Sequence, residues 1–477
     1  MKIISKISKF VPMLVLVFLF TAACSSDDDN NGGGGSEEPN IVEIALGAPE
    51  LTSLVAALQA ADGDLVNVLQ GDGPFTVLAP TNSAFTAFLN ANGFSSLDDV
   101  PTDVLSQILL NHVIMDNVTS SDLVSAGSGY ASGSATSDIG LPISIYFNTN
   151  NGVRFNNVAA VSEADIEASN GTIHIIDAVI GLPDIVDHAI ANPNFSSLVT
   201  ALGAADGDLV NTLKGDGPFT VLAPDNDAFA TFLDGAPLGG VDTAVLSQIL
   251  LNHVLGAAIN AEFLINAGAG YTISSATGAG GNAMSIYYNT SDGVKFNGLS
   301  SVTEADIVGT NGIIHAVDTV IDIPTVVTFA AADPNFSTLV AALTDLTPST
   351  DFVSILSRTE VGSPADGINP DFTVFAPTND AFDALEEIPG ETTLTQVLLH
   401  HVIAEANVAS GDLNNPGDTT APSLQGDNIT ITLPGTSGNI ANITDGAGNS
   451  DIGIIAVDVQ AGNGVIHVIN KVMIPNL

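Results

Sequence analysis

Tryptophan is absent from this 477-residue chain, cysteine occurs once, and lysine and arginine together number only 8. A single cysteine excludes an intramolecular disulfide, so packing alone must stabilise whatever folds. The lack of tryptophan, with aromatics at 5%, leaves the cores to Val, Ile, Leu and Ala and weighs against sugar-stacking platforms. Set against 53 acidic residues, the few basic ones give a formal net charge of −45. A surface of that sign repels phosphate backbones and anionic headgroups, so nucleic acid is not expected as a partner. What is present is apolar material for several cores, 45% of the chain. A chain of this length suggests roughly two to four domains.

The cysteine has a place of its own. Lys2, Lys6 and Lys9 form a positive start, and Phe10 to Phe20 is an apolar run. That run is about half of the roughly 20 residues a spanning helix needs, so it reads as a secretion signal. It ends in Thr21-Ala22-Ala23-Cys24, which resembles the lipobox of bacterial lipoproteins, although leucine is usual where Thr21 stands. The resemblance implies a signal peptide over 1–23 and lipidation of Cys24, which would hold the chain to a membrane. Residues 24–39, with Asp27-Asp28-Asp29 and four consecutive glycines, read as a flexible acidic tether. Acidic residues just after the cysteine resemble export tags for the outer face of an outer membrane; the periplasmic face is the alternative.

The rest of the chain repeats itself. Gly73-Pro74-Phe75-Thr76-Val77-Leu78-Ala79-Pro80 returns as Gly217 to Pro224 and, altered, as Asp371-Phe372-Thr373-Val374-Phe375-Ala376-Pro377. Asn170-Gly171-Thr172-Ile173-His174 returns as Asn311 to His315 and as Asn463 to His467. The period far exceeds the ~20–50 residues of solenoid repeats, so whole domains are expected at 40–182, 183–323 and 324–477. Arg358 to Pro370 reads as a loop inserted in the third copy. Within a copy, Ile185 to Ile190 and Phe195 to Leu202 carry helical spacing, Phe219 to Leu222 a short buried strand, and Val245 to Val254 another helix. From Tyr271 to Ile321 the composition turns to Gly, Ser, Thr and β-branched residues, as strands and turns require. Helices first and strands after predict an α+β unit.

These markers, in this order, resemble the fasciclin domain family. A Phe-Thr-Val-x-Ala-Pro-x-Asn-x-Ala-Phe run is met at Phe75 to Phe85, Phe219 to Phe229 and Phe372 to Phe382. A helix end with Leu-Leu-x-His-Val is met around His112, His253 and His401, and Asn-Gly-x-Ile-His before a closing strand ends at His174, His315 and His467. The resemblance covers 40–477. It implies tandem domains, each a curved antiparallel β-sandwich flanked by helices, and adhesion between cells or to a matrix. Where animal members carry a tyrosine tied to receptor adhesion, this chain has Asn111, Asn252 and His400, and Arg-Gly-Asp is missing. An Asp-Ile pair associated with adhesion in the family is matched by Asp165-Ile166, Asp306-Ile307 and Asp458-Val459. The plainer reading of these aspartates is a turn whose reversal Asn-Gly completes.

Other chemistry is thin. The six repeated histidines read as buried groups satisfied by the backbone, because two imidazoles without a third ligand make a poor zinc site. Asp62-Gly63-Asp64 and Asp206-Gly207-Asp208 lack the spaced oxygens of a calcium loop. No metal, cofactor or catalytic residue is expected. The sequence thus points to a non-enzymatic surface adhesion protein binding other cells, matrix polymers, polysaccharide or surface proteins. A glycan-binding accessory lipoprotein for polysaccharide uptake is the alternative, with Tyr146-Phe147 and Tyr287-Tyr288 as its platform.

Overall fold

A computed structural model describes residues 38–364 and 367–477. The expected signal peptide, Cys24 and all but the end of the expected tether lie outside the described residues. Each copy opens on a helix whose first turn is closed by its own side chains. Asn40 accepts from the Glu43 amide while Glu43 reaches back to Asn40. Asp184 with Asp187 and Thr325 with Thr328 form the same box. In the first copy, helices Thr52–Ala60, Leu65–Leu69, Asn82–Ala91 and Thr102–Leu110 follow, interrupted by strand Phe75–Pro80. After helix Ser120–Ala126 the chain is almost all strand, from Ser128–Thr136 to Gly171–Ile176. Among the described residues no single helix is long and apolar enough to cross a membrane.

The Phe-Thr-Val strand organises two cores. Alternation sends Phe75, Val77 and Ala79 to the helix side, where they share a core with Leu54 and Leu105 of the helices and Ile173 of the last strand. Leu78 faces the other way, into a cluster with Ile145, Phe147 and Phe155 enclosed by the sheet. Its neighbour in space is the last strand of the copy, paired parallel from Phe75↔Gly171 to Pro80↔Ile176. Gly171 is required here, since a Cβ would stand 1.9 Å from the Phe75 carbonyl oxygen.

The class is therefore α+β in tandem, and the sheet departs from an all-antiparallel arrangement at that one parallel pair. In the first two copies the seven strands close into a barrel; in the third they form a seven-stranded sheet in the same order.

Candidate functional site

Both repeated histidines of each copy are buried, and the backbone occupies both ring nitrogens. His112 sits at the end of helix Thr102–Leu110, where its Nδ1–H donates to the Ile108 carbonyl at 2.7 Å and its Nε2 accepts from the Ile180 amide at 3.0 Å. His253 and His401 repeat this with Ile249 and Ile321 and with Val397 and Met473. Burial pushes all three imidazoles down to about 4, so they are neutral ties between the helix and the segment that closes the copy.

The second histidine and the Asp of the Asp-Ile pair form one device. Asp165, Asp306 and Asp458 adopt left-handed φ of 56°, 59° and 61° at a break in strand register. Each therefore sits in a bulge inside its strand, not at the start of the Asn-Gly reversal as the sequence suggested. The bulge turns the Asp165 amide towards His174 Nδ1 at 3.2 Å, while His174 Nε2–H donates to the Val118 carbonyl. Asp306 with His315 and Asp458 with His467 do the same. The carboxylates point away and cap the starts of earlier helical segments, Ser120–Ala126, Ala261–Ala267 and Ser410–Asp412. Asp165 takes the Ser120 hydroxyl and amide, Asp306 the Ala261 amide, and Asp458 the Ser410 hydroxyl and amide. The Ser120 hydroxyl, then its amide, holds the Asp165 carboxyl below the usual carboxylate range. With Nδ1 taken by an amide and the carboxylate 4.0 Å away, the pair is a clamp rather than a proton relay.

The apolar partner of each aspartate meets a different fate in each copy. Ile307 and Val459 are 1% and 5% exposed, whereas Ile166 is half-buried. The apolar member of the Asp-Ile pair is therefore not exposed in the second and third copies. The preceding copy covers it there. Tyr130, paired across the hairpin with Tyr146, lies with its ring centroid 5.7 Å from that of His188, edge to face. Asn192 donates to its hydroxyl at 3.2 Å. Ser144 Oγ accepts from the Val308 amide at 2.9 Å, just beyond Ile307. The next joint repeats the pattern. Tyr271, paired with Tyr287, packs 5.8 Å from Phe329, its hydroxyl donates to Asp333 at 3.0 Å, and Ser285 Oγ accepts from Gln460 at 3.0 Å. Burial raises the phenols of Tyr130 and Tyr271 far above their ordinary value.

The same joints correct the expected sugar platform. Tyr146 and Tyr287 lie beneath their cross-strand tyrosines, and Phe147 and Tyr288 fill the two barrels; all four are buried.

The scan of family models matches the fasciclin domain at residues 49–183, 193–324 and 334–475. The chain belongs to the fasciclin domain family. Human periostin is 28% identical over 443 residues, covering 89% of this chain and 46% of periostin. Transforming growth factor-beta-induced protein ig-h3 of Sus scrofa is 27% identical over 446 residues, covering 91% of this chain and 58% of its own length. The chain spans about half the length of these curated relatives. Among solved structures, a domain pair from the insect cell adhesion molecule fasciclin I matches with a TM-score of 0.36 and 18% identity, over 57% of this chain and 96% of that one.

In fasciclin terms, the repeated polar residues of each copy are internal ties. Asn170 accepts from the Ile41 amide and donates to the Leu69 and Gly71 carbonyls; Asn311 and Asn463 do likewise. Asn111, Asn252 and His400, where animal members have tyrosine, are buried. Asn252 Oδ1 accepts from Ser274, whereas Asn111 Oδ1 has no partner because Gly133 stands in that place. Asp62 accepts from Thr102, and Asp64 from Asn67. Among the described residues no group of three or more His, Cys, Asp or Glu could hold a metal ion. The residues that sequence reasoning missed are Tyr130 and Tyr271. Their signal was available: each follows a glycine at the same place in its copy.

Proposed function

We propose that this chain is a surface adhesion protein, held to the cell envelope through a lipid on Cys24 and facing outward from the outer membrane. It binds other cells, matrix polymers or surface proteins without turning over a substrate. Membership of the fasciclin domain family in three copies carries this reading, since the resemblance to that family implies adhesion. The side chains support it. The repeated His and Asp residues are consumed in holding the backbone, which leaves shape and surface, rather than reactive groups, as what the fold offers. Joining several domains on one chain raises avidity for a partner met by more than one of them.

The test is attachment and aggregation of intact cells carrying the wild-type chain, no chain, or Cys24→Ala. Loss of attachment without the chain, and release of Cys24→Ala into the medium with the same loss, are the expected results. Unchanged attachment of cells lacking the chain would overturn the adhesive role.

A further inference from the structure

We propose that the receiving face of the first copy is a docking site for another protein, one that presents a phenyl ring on a β-strand flanked by basic side chains. The inference does not depend on the adhesive role, and its test uses purified chains without cells.

The same face exists three times. In the second and third copies it receives the tyrosine hairpin of the copy before it, on His188 and Ile307 in one case and on Phe329 and Val459 in the other. In the first copy the equivalent helix and strand positions are Ile44 and Ile166. Among the described residues nothing covers the face here, and it forms a groove of about 350 Å³ with Ile44, Ala48, Leu51, Ile166 and Ile175 along it. The ladder alternation that aims the Val308 amide at Ser144 aims the Glu167 amide out of the first copy in the same way.

The corresponding hairpin of the third copy carries no ring. Tyr288 pairs with Phe296 and Ile431 with Ile443, which fixes the register of the third copy's hairpin. Thr420 and Thr430 then stand where Tyr271 and Tyr287 stand, bonded to each other, and exposed Asn428 replaces Ser285. Among the described residues the third copy therefore offers no ring while the first copy's receiving face has none seated on it, and a second copy of this chain lacks the ring to fill the groove.

Two differences specify the ring and its setting. The residue that bonds the tyrosine hydroxyl is Asn192 in one joint and Asp333 in the other, but the first copy has Ala48. A phenol buried there would lose its partner, whereas a phenyl ring loses nothing. At the first joint Lys214 bridges Asp184 and Asp187; the first copy has Gln70 in that place, and Glu43, Glu50 and Glu163 line the groove. Carboxylates around an apolar floor favour basic neighbours to the ring.

The probe is this chain with a donor end grafted on: Thr420→Phe, Thr430→Phe and Asn428→Ser, followed by sedimentation velocity of the full chain in about 0.5 M salt to screen its own charge. Wild type is expected to run as a monomer and the graft to associate, with Ile44→Asp in the same chain weakening association about tenfold or more. A tyrosine graft, Thr420→Tyr and Thr430→Tyr with the same serine, should associate about tenfold more weakly than the phenylalanine graft. At low salt, Glu50→Gln with Glu163→Gln should strengthen association, because the grafted end is itself acidic. Association indifferent to Ile44→Asp, a tyrosine graft as strong as the phenylalanine one, or a folded graft that stays monomeric would each overturn the proposal. Self-association of wild type lost in Ile44→Asp would make the occupant a second copy and also overturn it. Should the graft melt below wild type, a cyclised 128–148 hairpin peptide carrying Tyr130→Phe and Tyr146→Phe replaces it as the probe. Failure of that peptide to bind the full chain has the same meaning.

Discussion

The receiving faces of the second and third copies and that of the first are built on the same helix, bulge and hairpin, yet they live in different surroundings. In the later copies an aromatic ring from the neighbour seals the face and the residue after the bulge aspartate disappears from solvent. In the first copy nothing among the described residues does so, and Ile166 stays half-exposed. The lesson concerns where function can reside. The bulge clamp recurs in all three copies, with Asp306 capping an alanine amide where Asp165 and Asp458 also take a serine hydroxyl, and it does not depend on the joint; the clamp is architecture, and what distinguishes the copies is the cover over it.

Acid should separate the two joints most strongly. Four fully buried histidines, His112, His188, His253 and His401, have pKa values pushed down to about 4 from 6.5. The unfolded chain takes up protons as pH falls through 6.5 while the native chain does not. Stability is therefore complete above 6.5 and is lost towards pH 4, by about 1.4 kcal/mol per pH unit for each histidine. Of these only His188 lies in a joint, and Phe329 replaces it in the next. Urea unfolding from pH 7.5 to 4.5, in about 0.2 M salt to screen acidic self-repulsion, should show the loss, to which the lowered His315, His400 and His467 add, and His188→Phe should remove that one residue's share of it.

Next in size is the ring itself. Tyr271→Ala leaves a cavity against Phe329 and should cost on the order of 3 kcal/mol, splitting the calorimetric transition of the second and third copies. Ile44→Ala on the open face should cost about 1 kcal/mol and split nothing. The clamp serves as the control: Asp165→Ala and Asp458→Ala should each cost about 1 kcal/mol, as lost caps do, whether the joint is open or covered. Smallest is a gain. Gly133→Ser would give Asn111 Oδ1 the hydroxyl that Ser274 gives Asn252, adding about 1 kcal/mol or less to the first copy's melting stability.

Much of this was legible from residues alone. The Phe-Thr-Val strand, the helices and the buried histidines follow from local pattern, because alternation and helical spacing decide burial before tertiary structure is known. The Asp-Ile pairs and the aromatic pairs were harder. Asp165 looks like a turn former, yet its left-handed φ serves a bulge, and only the fold reveals the Ser120 amide it caps. Tyr146 and Tyr287 alternate as an exposed platform would, but their cover comes from the opposite strand and the next copy. Contacts between repeats leave no periodic signal within one repeat. They show only when a residue present in two copies is missing from the last, as tyrosine gives way to Thr420.

Hydrogen–deuterium exchange of the full chain at three equivalent amides tests the open face most directly. Val308 and Gln460, bonded to Ser144 and Ser285 across the joints, should exchange slowly, and Glu167 fast, at rates separated by about a hundredfold or more. Equal protection at Glu167 would mean that the first face is already covered. Fast exchange at Val308 and Gln460 would mean that the joints do not hold.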